Sequence, residues 1–131
     1  MNKIRAMIEL KTLLEGTKAH PAVGKEIFEL ILGTGSEKEF IRLLGKQLEF
    51  IRQLGNRVIE LAQFEKLKDY KNLYSMHLEG KTFNIRVLYS YGINCEIFLH
   101  CFYEKEGKST SEYRTHAPIA IERLKEMEDW I

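Results

Sequence analysis

In FNIRVLYSYGINCEIFLHCFYEKEGKST, Phe83 to Thr110, two runs rich in aromatic and branched residues flank a turn at Gly92–Ile93–Asn94. That pattern predicts a β-hairpin. Strict alternation puts Phe83, Ile85, Val87 and Tyr89 on one face, and Asn84, Arg86, Leu88 and Ser90 on the other. Arg86 thus lies on the face less committed to a core. In the second run Glu96, Phe98, His100 and Phe102 share a face, opposite Ile97, Leu99, Cys101 and Tyr103. With the turn at 92–94, Arg86 is expected opposite a residue near Glu96 to His100, and Lys105 and Lys108 follow in the next turn.

Upstream, LYSMHL (73–78) is a third such run, joined through Glu79–Gly80–Lys81. Three successive runs make an antiparallel meander. Before them, HPAVGKEIFELILGTG reads as a short helix opened by Pro21 and ended by Gly33. SEKEFIRLLGKQLEFIRQLG reads as a longer one, with a capping box of Ser36 and Glu39 and a stripe at Phe40, Leu44, Leu48 and Ile51. The two form a helical hairpin over 22–54, expected to cover one sheet face. At the N-terminus, Ile4, Ala6, Ile8 and Leu10 alternate as in an edge strand, although Met7 and Leu13 also allow a helix; residues 11–20 read as loop. A last helix is expected from about Ala117, with Pro118 in its first turn and Ile119, Ala120, Leu124, Met127 and Trp130 along it. The sum is one α+β domain over residues 1–131: N-terminal strand, helical hairpin, three-stranded meander, C-terminal helix.

Composition narrows the function classes. A chain of 131 residues with 44% hydrophobic and 30% charged content is an ordinary globular protein. Its net charge of +1 excludes a global field for polyanions, so any nucleic-acid site is a local patch. The two cysteines, Cys95 and Cys101, lie about 20 Å apart on an extended strand, too far for a disulfide, and are read as reduced thiols of a cytoplasmic protein. There is no spacing of metal-ligand pairs, no signal-peptide core and no apolar run long enough for a membrane span. Neither a cofactor nor a membrane is expected.

Arg86, His100, Lys105 and Lys108 are the residue types that metal-free RNA cleavage needs. A histidine suits proton transfer near neutral pH, while Arg and Lys supply fixed positive charge for the phosphorane-like transition state. Each has an ordinary alternative: Arg86 paired with Glu96, a hydrogen-bonded half-buried His100, and solvated lysines. Tyr89 and Tyr103 are suited to stacking on bases or to packing in the sheet. Tyr113, Arg114 and His116 flank the final helix and either close a site or cap the helix. His20 and His77 are structural by default.

LYSMHLEGKTFNIRVLYSY and IFLHCFYEKEGKSTSEY together resemble the RelE/HigB-like toxins of type II toxin–antitoxin systems, in particular the phage-derived HigB-like branch. The likeness rests on the Leu-Tyr strand start, on Arg86-Val87-Leu88-Tyr89, and on Leu99 to Phe102 running into Lys105 and Lys108. It implies a RelE-like fold and a ribosome-dependent mRNA endonuclease that inhibits translation. It also implies a cognate antitoxin, often with a helix-turn-helix, and puts the catalytic role on Arg86, His100, Lys105 and Lys108. His77 stands where relatives often have Arg, Glu104 takes the first place of a frequent Lys-Lys pair, and Gly107 and Thr110 replace a common Gln and Pro. These departures lower the local positive charge. His77 and Glu104 favour one alternative, a RelE-like binding module acting through antitoxin or ribosome contacts. A second, a gyrase-directed toxin on the same general scaffold, is disfavoured by the run of His100, Lys105 and Lys108, because such a toxin needs no acid–base set.

Overall fold

A computed structural model describes residues 1–105 and 109–127. In chain order the elements are α1 (Lys3–Glu15), β1 (Lys18–Ala19), α2 (Pro21–Ile31), α3 (Glu37–Leu54), a 3-10 segment (Gly55–Glu60), β2 (Phe64–Lys66), β3 (Tyr74–Glu79), β4 (Asn84–Gly92), β5 (Cys95–Tyr103) and α4 (Ser109–Glu126). The fold is α+β, with four helices and one five-stranded mixed sheet of order β1-β5-β4-β3-β2. β1 runs parallel to β5, and every other neighbouring pair is antiparallel. Among the described residues no helix is long and apolar enough to cross a membrane.

The N-terminal segment is a helix rather than a strand. Residues 3–15 hold no Gly or Pro and are rich in good helix formers. The Asn2 side chain accepts from the Arg5 N–H at 2.8 Å, which caps the first turn. Ala6 and Leu10, four apart, are buried, while Ile4 and Ile8 face solvent. The 11–20 segment is likewise not all loop: α1 runs through Glu15, and Lys18–Ala19 pair with Ile97–Phe98.

α2 opens on Pro21, and the His20 ring accepts from the Ala22 N–H. Its buried stripe is Val23, Ile27 and Ile31, and that of α3 includes Phe40, Leu44, Leu48 and Ile51. Phe28, expected on that face, packs against the core while staying partly exposed. The Ser36–Glu39 capping box does not form. Ser36 Oγ instead meets Thr82 Oγ1, and Glu39 Oε1 accepts from the Lys81 N–H at 2.8 Å, so both side chains tie α3 to the β3–β4 turn. Glu37 accepts from the Gly33 N–H at 2.7 Å, which ties the start of α3 to the link after α2.

Both sheet faces are covered. Met76, Leu78, Ile85, Val87, Tyr89, Phe98 and Cys101 pack with the stripes of α1, α2 and α3. Leu73, Leu88, Ile97, Leu99 and Phe102 pack with Ala117, Ala120 and Met127 of α4. The strict alternation expected for β5 fails at a register shift. Leu88 opposes His100 but Tyr89 opposes Phe98, so Leu99 is an extra residue. The shift sends Ile97, Leu99 and Phe102 to the α4 face, and Phe98 and Cys101 to the other.

α4 begins at Ser109, two turns before the expected Ala117, and Pro118 sits inside it rather than in its first turn. That early start lays Tyr113 and His116 over the strands. Trp130 and Lys108 lie outside the described residues.

Candidate functional site

The α4 face of the sheet is apolar at one end and polar at the other. Register places Glu65 opposite Ser75, His77 opposite Arg86, and Arg86 opposite Phe102, all on this face. Tyr113 of α4 reaches down to them. Its hydroxyl donates to Glu65 Oε1 at 2.7 Å and lies 2.8 Å from Ser75 Oγ and 3.2 Å from His77 Nε2. His77 Nε2 is also 2.9 Å from Glu65 Oε1. Burial, and then the nearby Arg86 charge, hold His77 below its ordinary pKa, while burial pushes the Tyr113 phenol up.

Arg86 does not lie on an uncommitted face. It is 7% exposed, and its Nη2 is paired with Glu104 Oε2. Glu79 Oε1 stands 4.0 Å away, and Asn84 Nδ2 donates to the same Glu104 oxygen at 3.2 Å. Arg86 Nε and Nη1 and Glu104 Oε1 are buried without hydrogen bonds to other described residues. The expected alternation of β4 holds, with Phe83, Ile85, Val87 and Tyr89 on one face and Arg86 and Leu88 on the other; what differs is that α4 covers this second face. Arg86 opposes Phe102 rather than Glu96 to His100, and Glu96 opposes Tyr91.

His100 is buried with both ring nitrogens engaged. Nδ1 is 2.8 Å from Glu26 Oε2, and Nε2 is 2.7 Å from His116 Nδ1. Glu26 reaches β5 because β1 is only two residues long and leaves the outer edge of β5 open beyond Phe98. There Glu26 Oε1 accepts from the Cys101 N–H at 3.0 Å and from Arg123 Nη1 at 2.8 Å. Arg123 Nη1 also donates to the Leu99 carbonyl at 3.0 Å. A carboxylate from α2 and a guanidinium from α4 thus close the sheet edge from its two sides. Burial alone would raise the Glu26 pKa, but the hydrogen bonds from His100, Arg123 and Cys101 lower it to about 2. His116 stacks on Phe102, centroids 4.0 Å apart and planes 5° from parallel.

The other expected residues scatter. Tyr89 is wholly buried against Tyr74 and Phe98 and offers no face to a base. Tyr103, Lys105 and Arg114 are exposed. The structure brings together Arg86, His100, Tyr113 and His116, and adds Glu26, Glu65, Ser75, Glu104, Glu112 and Arg123, which residue type alone did not single out. One signal was available for Glu26, an acid beside the Val23–Ile27 stripe; none was available for Arg123. Burial pushes the Cys101 thiol far above its ordinary value, so it is no nucleophile. Among the described residues no group of three or more His, Cys, Asp or Glu is placed to hold a metal ion. A concavity lined by Leu13, Thr17, Leu48 and Phe98 lies elsewhere, between α1, α3 and the β4–β5 turn.

Chemically, the cluster offers a hydrogen-bonded histidine pair, a buried cation and a phenol on one sheet face, with lysine charge beyond the end of β5. No protein-family model matches the chain, and it has no significant match among the curated proteins or the solved structures.

Proposed function

We propose that the chain is the toxin of a type II toxin–antitoxin system and cleaves mRNA on the ribosome without a metal ion. The observation that carries the reading is the contact of His100 with the partly exposed His116 at 2.7 Å, two strand positions along β5 from Arg86's partner Phe102. Two imidazoles in contact supply proton transfer, and Arg86 and Lys105 supply charge near the same strand end. The element order also supports it. A helical hairpin, then β3, β4 and β5 paired in sequence, then a C-terminal helix fits the RelE-like order that the resemblance implies, with α1 in place of its N-terminal strand. On this reading the protein works in the cytoplasm, its partners are the ribosome, mRNA and a co-encoded helix-turn-helix antitoxin, and it needs no cofactor.

Primer extension on an mRNA under translation, with purified protein and ribosomes, is the test. Discrete new 5′ ends that vanish when ribosomes are omitted or the antitoxin is added support the reading. Intact mRNA at saturating protein, with translation unaffected, overturns it. The ion pair of Arg86 with Glu104 favours a second reading, a binding module that occupies the ribosome without cutting, because it neutralises the cation a phosphate would need. Ribosome binding and translation arrest with intact mRNA would select that reading.

A further inference from the structure

The hydrogens along Glu26, His100 and His116 can be placed one at a time. Arg123 Nη1 carries two hydrogens, and both have oxygen acceptors, Glu26 Oε1 at 2.8 Å and the Leu99 carbonyl at 3.0 Å. None is left for His100 Nδ1, 3.1 Å away. The Glu26 carboxylate is ionised and only accepts, so at 2.8 Å its Oε2 takes a hydrogen that belongs to His100 Nδ1. In the neutral ring Nε2 is then a bare acceptor. With His100 neutral, the 2.7 Å contact with His116 is made by a hydrogen on His116 Nδ1. The nitrogen left over is His116 Nε2, which is bare in the neutral ring. Glu112 Oε2 is 3.4 Å from it, beyond a good hydrogen bond. The His116 side chain is 21% exposed, against 6% for His100.

Resting on the nuclease reading, we propose that His116 Nε2 is the base that takes the ribose 2′-hydroxyl proton, and that His100 and Glu26 are positioning residues. Glu26 sets the tautomer of His100, which sets that of His116 and leaves Nε2 without a hydrogen, 3.4 Å from Glu112 Oε2. When Nε2 takes the proton, the Nδ1 hydrogen of His116 passes to His100 Nε2, and the positive charge settles on His100 beside the Glu26 carboxylate. The 2′-oxygen forms its bond to phosphorus as the bond from phosphorus to the 5′-oxygen breaks, giving a 2′,3′-cyclic phosphate. The 5′-oxygen leaves with a proton from water, and the relay later returns its own to water. The titratable and charged groups around His116 are Glu26 from α2, His100 from β5, and Glu112 and Arg123 from α4 itself. Burial and the neighbouring imidazole hold His116 below its ordinary value, so the base form prevails near neutral pH.

The test pairs a spectrum with a rate. Long-range 15N–1H correlation on wild-type protein at pH 7.5 should show both His100 and His116 with the hydrogen on Nδ1. In His100→Phe, which keeps a ring in place and leaves Glu26 on Arg123, His116 should revert to the Nε2–H form that free imidazole favours. A His116 carrying its hydrogen on Nε2 in the wild type overturns the relay, with no variant needed. In ribosome-dependent cleavage, His116→Ala should lose roughly a hundredfold or more in rate. Glu26→Gln should move the acid limb of the pH–rate profile to lower pH, because the cationic pair loses its carboxylate. Wild-type cleavage by a folded His116→Ala variant overturns the assignment of the base. A wild type with the expected tautomers that leaves translated mRNA intact overturns the nuclease reading, and with it the substrate role of His116, but not the order of the hydrogens.

Discussion

Arg86 of β4 and Glu104, one residue past the end of β5, form an ion pair in which neither side chain is more than 8% exposed. Removing one member of such a pair leaves an uncompensated buried charge, at a cost of about 3–5 kcal/mol. Arg86→Met and Glu104→Met should each destabilise by that order. The double variant should cost less than the sum of the singles, by about 2 kcal/mol. Urea denaturation of the four proteins measures it, and strictly additive singles would show that the pair carries no coupling.

Stability should fall in two stages as the solution is acidified. His77 and His116 are held below their ordinary 6.5, so the unfolded chain binds protons first and stability is lost as pH falls through 6.5. Glu26 is depressed from 4.5 to about 2, so its contribution is whole above pH 4.5 and disappears between there and pH 2. That second stage is worth about 3 kcal/mol. Denaturation midpoints across pH 3–8 should show both, and Glu26→Gln should remove the lower one. An unchanged lower stage in that variant would place the titrating carboxylate elsewhere.

Gly80 lies in the β3–β4 turn, against the Glu39 side chain of α3. A Cβ there would run into Glu39 Oε1 and the Phe83 ring. Gly80→Ala should therefore push Glu39 off the Lys81 N–H, at a cost of about 1–3 kcal/mol. Amide exchange at Lys81 should speed up in the variant, and unchanged exchange with unchanged melting would mean that the turn yields freely.

How much of this was legible in the sequence depended on element length. α2, α3 and the runs that became β3, β4 and β5 are long enough to display their period. β1 and β2, of two and three residues, cannot show one. Ile4, Ala6, Ile8 and Leu10 satisfy alternation, yet Ala6 and Leu10 equally satisfy the four-residue helical spacing, and burial chose the latter. The first two turns of α4, STSEYRTH, carry no apolar stripe, so the sequence pattern shows the helix only from about Ala117. In the site, His100 was recognisable by type. Its partner Glu26 lies 74 residues away, and the shift at Leu99 reassigned the faces of β5 by one residue.

Glu26 binds His100 across 74 residues of chain and Arg123 across 97. Contacts that close such long loops come late in folding, after the local hairpins and helices have formed. Their loss should therefore appear in the escape rate from the native state rather than in the rate of reaching it. Glu26→Gln should shorten the native lifetime by roughly a hundredfold while refolding keeps nearly its original speed. Stopped-flow unfolding and refolding arms measure the two separately. A slowed refolding arm would move the α2–β5–α4 junction into the folding nucleus; an unchanged one makes a single carboxylate the timer of how long the molecule stays folded.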